Sequence, residues 1–220
     1  MSQPRVIFLD AVGTLFGVRG SVGQIYTDMA RAAGVETDVE TLNQAFIQAF
    51  SSASPMAFPK AETTAVPYQE YRWWYAIAEQ AFAQSKTLAA FDDFDGFFAD
   101  LYAHFATAKP WFVYPETLQT LVSWQAQGID LGVISNFDSR LYAVLQALDL
   151  SVYFKTVTIS TEAGAAKPDP LIFATALQKH GCQAAEAWHI GDSYEQDYEG
   201  ARAAGLKGIL LQRPESELNQ

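Results

Sequence analysis

Three short apolar runs in this chain each stop at a polar residue that opens a loop, and this recurrence constrains the fold more than any other feature. Residues 6–9 (VIFL) run into Asp10 ahead of Gly13, residues 131–134 run into Ser135 and Asn136, and residues 188–190 run into Gly191 and Asp192. Runs this short and this continuously apolar are strands buried in a parallel sheet. Residues 156–159 and 208–211 supply two further strands, and helical spacing marks 116–127, 139–148, 170–180 and 196–204. Strands alternating with helices predict an α/β fold whose parallel sheet is covered on both faces. In such a sheet, ligands sit in the crevice at the carboxyl ends of the strands, so Asp10, Ser135 and Asp192 are expected to converge.

Between residues 19 and 109 the strand signal disappears, and apolar-periodic segments appear instead, centred near Tyr26, Ala45, Ala76 and Leu101. The expected organisation is therefore a sheet-bearing core, residues 1–18 and 110–220, with a smaller helical cap inserted over residues 19–109. The second cap helix is expected to open on a capping box, Thr37 as N-cap with Glu40 three residues on. The aromatic cluster Tyr68, Tyr71, Trp73, Trp74 and Tyr75 reads as bundle core rather than pocket wall. The crossings between the two parts, residues 16–20 and 109–114, are the expected hinges.

A formal net charge of −11 repels phosphate backbones, so neither nucleic acid nor an anionic membrane is an expected partner. No apolar run reaches the about 18 residues of a membrane span, and MSQPRVIFLD has no basic stretch leading into an apolar one, so a cytoplasmic protein is expected. Cys182 is the only cysteine, which excludes an internal disulfide and reads as a structural thiol. Nothing in the sequence specifies an oligomeric state.

Asp192 and Asp197, five apart in GDSYEQD, add two carboxylates to Asp10. Crowded carboxylates repel one another unless a cation binds among them, and a hard divalent ion held through oxygen is the natural resolution, with Mg²⁺ the default. Singly, these residues have ordinary explanations. Lys167 before Pro168 suits a solvated loop, Ser135 a helix cap, and Asp197 an acidic helix start.

Their order along the chain sets them apart. FLDAVGTLF, VISNFD, AAKPDPLIF and HIGDSYEQD resemble, in sequence, the four motifs of the haloacid dehalogenase-like (HAD) hydrolases, and the helical insert lies where the type 1 cap of subfamily I lies. SNFD, KPDP and the DYEGAR that follows resemble in particular the haloacid dehalogenase-like hydrolase domain-containing branch. The resemblance implies a Rossmann-like doubly wound sheet with an inserted helical cap. It implies Asp10 as nucleophile and metal ligand, with Lys167 neutralising Asp10 and the phosphoryl group. Ser135 and the backbone of Asn136 would hold phosphoryl oxygens. The Mg²⁺ site would comprise Asp10, Asp192 and the backbone carbonyl of Val12, with Asp197 behind it or acting through water. Thr14 stands at the motif threonine that orients the loop and is placed with Asn136 and Arg19 on the substrate side. Arg19, Lys60 and Arg72 are the cations expected to reach over the site from the cap. His189 reads as a histidine at the edge of the core. The implied substrate is a small phosphorylated metabolite.

The chain departs from the family's phosphatases at Val12. They carry there an Asp that protonates the leaving oxygen and then activates water. General acid–base catalysis supplies about 10² to 10⁴ in rate, and electrostatic stabilisation is usually the larger part. The expectation is thus a weakened Mg²⁺-dependent phosphatase or phosphotransferase, least impaired when the leaving group has a low pKa. L-2-haloacid dehalogenases also lack that Asp and read DAYGTLFD against DAVGTLFG here. They use no Mg²⁺, however, and carry Ser and Asn where this chain has GD. Phosphonate-cleaving relatives need a cap lysine, here Lys60 or Lys86. A dehalogenase, or a non-catalytic protein that binds Mg²⁺ and a phosphorylated ligand, are the alternatives.

Overall fold

The computed structural model describes residues 3–213. Strand β1 (Val6–Leu9) is buried along its whole length. Side chains alternate across a strand, so Val6 and Phe8 enter one apolar cluster and Ile7 and Leu9 another on the opposite face. β4 (Asp130–Ser135) and β6 (Ala187–Gly191) flank β1, and β5 (Thr156–Ile159) and β7 (Lys207–Leu210) form the edges, giving the order β5-β4-β1-β6-β7. Every pairing in this sheet is parallel.

Helices α5 (Thr117–Ala126) and α6 (Arg140–Ala147) cover the Ile7–Leu9 face through Leu121, Leu141, Val144 and Leu145. The other face is covered by α8 (Pro170–His180) and α9 (Gly200–Ala203), through Ile172, Phe173, Ala176 and Ala201. Each large apolar side chain so buried contributes about 1.5–3 kcal/mol. The chain winds outward from β1 to β4 and β5, then crosses back to β6 and on to β7. That reversal opens a crevice between the ends of β1 and β6, where a doubly wound sheet takes its ligands.

Between β1 and α5 lie β2 (Phe16–Val18), α1 (Val22–Ala32), α2 (Val39–Ser52), α3 (Val66–Gln84), α4 (Phe94–His104) and β3 (Trp111–Val113). The helices pack on a cluster of their own that includes Tyr26, Leu42, Ala81, Phe82, Phe98 and Leu101. β2 and β3 pair antiparallel, Phe16 opposite Val113 and Val18 opposite Trp111. The two crossings therefore form a ribbon rather than plain linkers, and three residues are too few to display a strand period. No helix among the described residues is long and apolar enough to cross a membrane.

Two local expectations change. The N-cap of α2 is Asp38, whose carboxylate accepts from the Thr41 N–H at 2.8 Å, not Thr37. Its negative charge also suits the positive end of the helix dipole, which a threonine cannot match. The aromatic cluster divides. Tyr71 and Tyr75 pack against the helical core, Tyr68 is 69% exposed, and Trp74 also lines a cavity.

Candidate active site

Asp10 follows β1 directly, and its N–H donates to the Ile190 carbonyl at 2.9 Å, which fixes the end of β1 against β6. Lys167, on the loop before α8, reaches back beneath the sheet ends. Its Nζ donates to Asp10 Oδ1 at 2.6 Å and to Asp197 Oδ1 at 2.5 Å. All three side chains are buried. His189, inside β6, points to the same face as Phe8, and its Nε2 lies 2.8 Å from Asp197 Oδ1. The other Asp197 oxygen accepts from the Ser193 N–H at 3.0 Å. Gly191 allows this approach, because a Cβ there would collide with the Asp197 carboxyl.

Asp197 turns inward on a π-helical stretch, Tyr194–Glu199, that precedes α9. The sequence spacing predicted one regular helix over 196–204. The wider turn is set by the Ser193 carbonyl, which accepts from both the Asp197 and the Tyr198 N–H groups, and such turns recur at functional sites.

Charge explains the protonation states. Burial lifts the Asp10 carboxyl above its ordinary range; Lys167 pulls against this, and Asp197 and Asp192 add to the lift. Burial alone would push Lys167 down, but the two carboxylates outweigh it and hold the ammonium above its usual value. Burial also works upward on Asp197, yet the bonds from His189 and Lys167 keep its carboxyl well below the usual range. Burial lowers His189, so the neutral ring serves Asp197 as an N–H donor.

Asp192, at the exposed rim beyond β6, has its carboxyl raised by what burial it has and by the charge of Asp197. Thr14 Oγ1 lies 3.5 Å from Asp192 Oδ1, so this threonine faces the acidic rim. Gly13, at φ 87°, brings the loop against the Asp192 carboxyl, where a Cβ would not fit. Arg213 donates to the carbonyls of Gly13 and Thr14 at 2.9 and 2.8 Å and so holds that loop. One carboxylate oxygen from each of Asp10, Asp192 and Asp197 lies within 4.8 Å of the others.

Ser135 is buried at the end of β4. The Asn136 side chain has a task of its own: Oδ1 accepts from the Lys167 N–H at 2.6 Å and Nδ2 donates to the Lys167 carbonyl at 2.9 Å. It thus clamps the backbone that carries the lysine.

Between the sheet ends and the helical insert lies a cavity of about 240 Å³, with Val12, Asn136 and Phe137 on the sheet side and Phe46, Trp74 and Tyr102 on the helical side. Arg19, Lys60, Arg72 and Lys86 are exposed and do not line it. The cation that does is Arg140, at the start of α6. Its Nε and Nη2 donate to Asp138 at 2.9 and 2.7 Å, and its Nη1 donates to the Tyr102 carbonyl at 3.1 Å. Its guanidinium lies 3.8 Å from the Tyr102 ring centre. Sequence reasoning missed Arg140, although one signal was present. An arginine in the first turn of a helix opposes the helix dipole and needs a reason to be there.

Comparison with known proteins bears on this arrangement. The sequence profile described as haloacid dehalogenase-like hydrolase matches residues 4–205. The chain is 36% identical over 213 residues to the haloacid dehalogenase-like hydrolase domain-containing protein 3 of Bos taurus, covering 97% of this chain and 84% of that protein. In fold, it is similar to an L-2-haloacid dehalogenase from Xanthobacter autotrophicus, with a TM-score of 0.68 and 23% identity over 98% of this chain and 80% of the other. It is also similar to a HAD phosphatase from Thermococcus onnurineus, with a TM-score of 0.61 and 22% identity over 96% and 87% of the two chains.

Proposed function

The chain belongs to the haloacid dehalogenase-like hydrolases, and from that premise we propose that it is a Mg²⁺-dependent phosphatase or phosphotransferase acting on a small phosphorylated metabolite through an aspartyl-phosphate at Asp10. Its activity is weakened because Val12 replaces the general acid. One observation carries this reading: carboxylate oxygens of Asp10, Asp192 and Asp197 converge, and the ammonium of Lys167 pairs with two of them, Asp10 and Asp197. Three carboxylates and one ammonium leave two negative charges uncompensated; burial first, and then the neighbouring carboxylates, raises the carboxyls of Asp10 and Asp192. A hard divalent cation matches both the charge and the oxygen donors. Asp10, Asp192 and the Val12 carbonyl would hold it. Asp197, whose oxygens already accept from Lys167, His189 and Ser193, would support it from behind. The ion would neutralise charge on the transferred phosphoryl oxygens.

The chain's own groups account for the rest. An Asp10 carboxylate oxygen attacks phosphorus and the bond to the leaving oxygen breaks. The leaving group departs with that electron pair and takes its proton from water, since Val12 has none to give. Water then attacks phosphorus and releases phosphate and free Asp10; in phosphotransfer an acceptor hydroxyl takes the place of water. Lys167 keeps Asp10 oriented and offsets its charge, and Ser135 and the Asn136 backbone hold the phosphoryl oxygens. Acyl and aryl phosphates, whose leaving groups need little protonation, are the favoured substrates over alkyl phosphates. A dehalogenase is the second reading, favoured by Val12 in the wall of an apolar cavity and disfavoured by the acidic cluster.

Phosphate release from acetyl phosphate, with Mg²⁺ and with EDTA, tests the assignment. The expected result is Mg²⁺-dependent turnover that falls to background in Asp10→Asn. Metal-independent halide release from a 2-haloacid, with no phosphate release, would overturn it.

A further inference from the structure

The cavity beside Val12 narrows the substrate class, and this inference rests on the phosphatase reading above. On its sheet side, Asn136 and Phe137 directly follow the strand-end residue Ser135, and Val12 lies two positions after Asp10. The cavity thus lies beside the residues that would hold the transferred phosphoryl, with room there for the group attached to it. The opposite wall is aromatic, with Tyr26, Phe46, Phe50, Trp74 and Tyr102 contributed by α1 to α4. Arg140 is the one charged side chain among the described residues that line it.

That charge is already matched. Asp138 is fully buried, receives two guanidinium bonds from Arg140 and also accepts from Trp74 Nε1 at 2.6 Å. A substrate carboxylate would have to compete with Asp138 for the guanidinium in a buried site, which is unfavourable. A sugar or polyol carries more hydroxyl groups than the few polar groups in these mostly apolar walls can pair. The Arg140 N–H groups not used by Asp138 and Tyr102 suit a neutral acceptor instead. A cavity of about 150 Å³ lined by apolar side chains accommodates benzene, so about 240 Å³ has room for a larger flat group.

We propose that the leaving group is an uncharged aromatic alcohol, mono- or bicyclic, and that the cavity between Val12 and Trp74 binds its ring. The absence of an acid at Val12 points independently to the same class, because an aryloxide leaves with little help from a proton.

The test compares kcat/KM for 1-naphthyl phosphate and 4-carboxyphenyl phosphate, esters of phenols with similar acidity, using the Mg²⁺-loaded wild type and Phe50→Lys. Phe50 is 47% exposed at the rim, so the change is compatible with folding. The expected result is at least a tenfold preference for the naphthyl ester, carried by KM, that shrinks or reverses in Phe50→Lys. Equal kcat/KM values, or a preference for the carboxylate ester, would overturn the proposal. If even acetyl phosphate yields no phosphate, the phosphatase reading itself fails. Calorimetric binding of 1-naphthylphosphonic acid and 4-carboxyphenylphosphonic acid then decides the cavity's preference. Tighter binding of the naphthyl compound would sustain it, and equal, reversed or undetectable binding would overturn it.

Discussion

Lys167 stands at the centre of the site, because its buried ammonium touches two buried carboxylates and its backbone is clamped by Asn136. Removing one member of a buried ionic cluster costs about 3–5 kcal/mol, since it leaves the partners uncompensated. Lys167→Met is therefore expected to lose about that much stability in urea unfolding with EDTA present, to recover part of it with Mg²⁺, and to lose turnover by about 10² or more. Unchanged stability in EDTA would contradict the charge assignment. Asp10, Lys167, Asp192 and Asp197 were legible in the sequence because each lies at a strand end or in a short motif. His189 and Arg140 were not. The bond from His189 to Asp197 follows from which face of β6 the ring occupies. The setting of Arg140 depends on Tyr102, which lies 38 positions earlier in the chain and meets it only after folding.

Among the elements, the sheet strands and the long helices were readable, because burial imposes continuous apolar runs or a 3.6-residue period that survives in the sequence. β2 and β3 were too short to carry a period, and the π-helical turn at Asp197 answers to tertiary bonds rather than to local propensity. The contact between the helical insert and the sheet was also hidden. Glu70 of α3 is fully buried and accepts from the Ser139 N–H at 3.0 Å, Ser139 Oγ at 2.5 Å and Thr161 Oγ1 at 2.6 Å. These bonds tie the insert to the start of α6 and to α7 (Ser160–Ala163). Glu70→Leu removes both acceptor oxygens and leaves the Ser139 N–H and the hydroxyls of Ser139 and Thr161 unpaired at a cost of about 1–3 kcal/mol. The expected outcome is a lower Tm and faster amide hydrogen exchange along α3 than in the sheet. Exchange unchanged in α3 would show that these bonds do not hold the insert closed.

For the whole molecule, a net charge of −11 means that an anionic substrate gains nothing from the general field and depends on positive charge within the crevice. Lys167 is consumed by Asp10 and Asp197, and Arg140 by Asp138. On the proposed reading, a divalent cation among the uncompensated carboxylates would be the means by which a phosphoryl group enters. The sheet supplies Asp10, the proposed nucleophile, and the acidic cluster, the insert supplies an aromatic enclosure, and Val12 lines the cavity between the two. The central claim is that this arrangement is a phosphatase lacking only its acid, and Val12→Asp tests it most directly. An Asp at that apolar wall would be held protonated by desolvation, as a general acid must be. The measurement is Mg²⁺-dependent hydrolysis of an aryl and an alkyl phosphate by the wild type, Asp10→Asn and Val12→Asp, with EDTA controls. The account predicts slow wild-type turnover of the aryl ester that disappears in Asp10→Asn. It also predicts a gain of about 10² or more in Val12→Asp, larger for the alkyl ester. A Val12→Asp protein that folds but turns over neither ester faster than the wild type would contradict it.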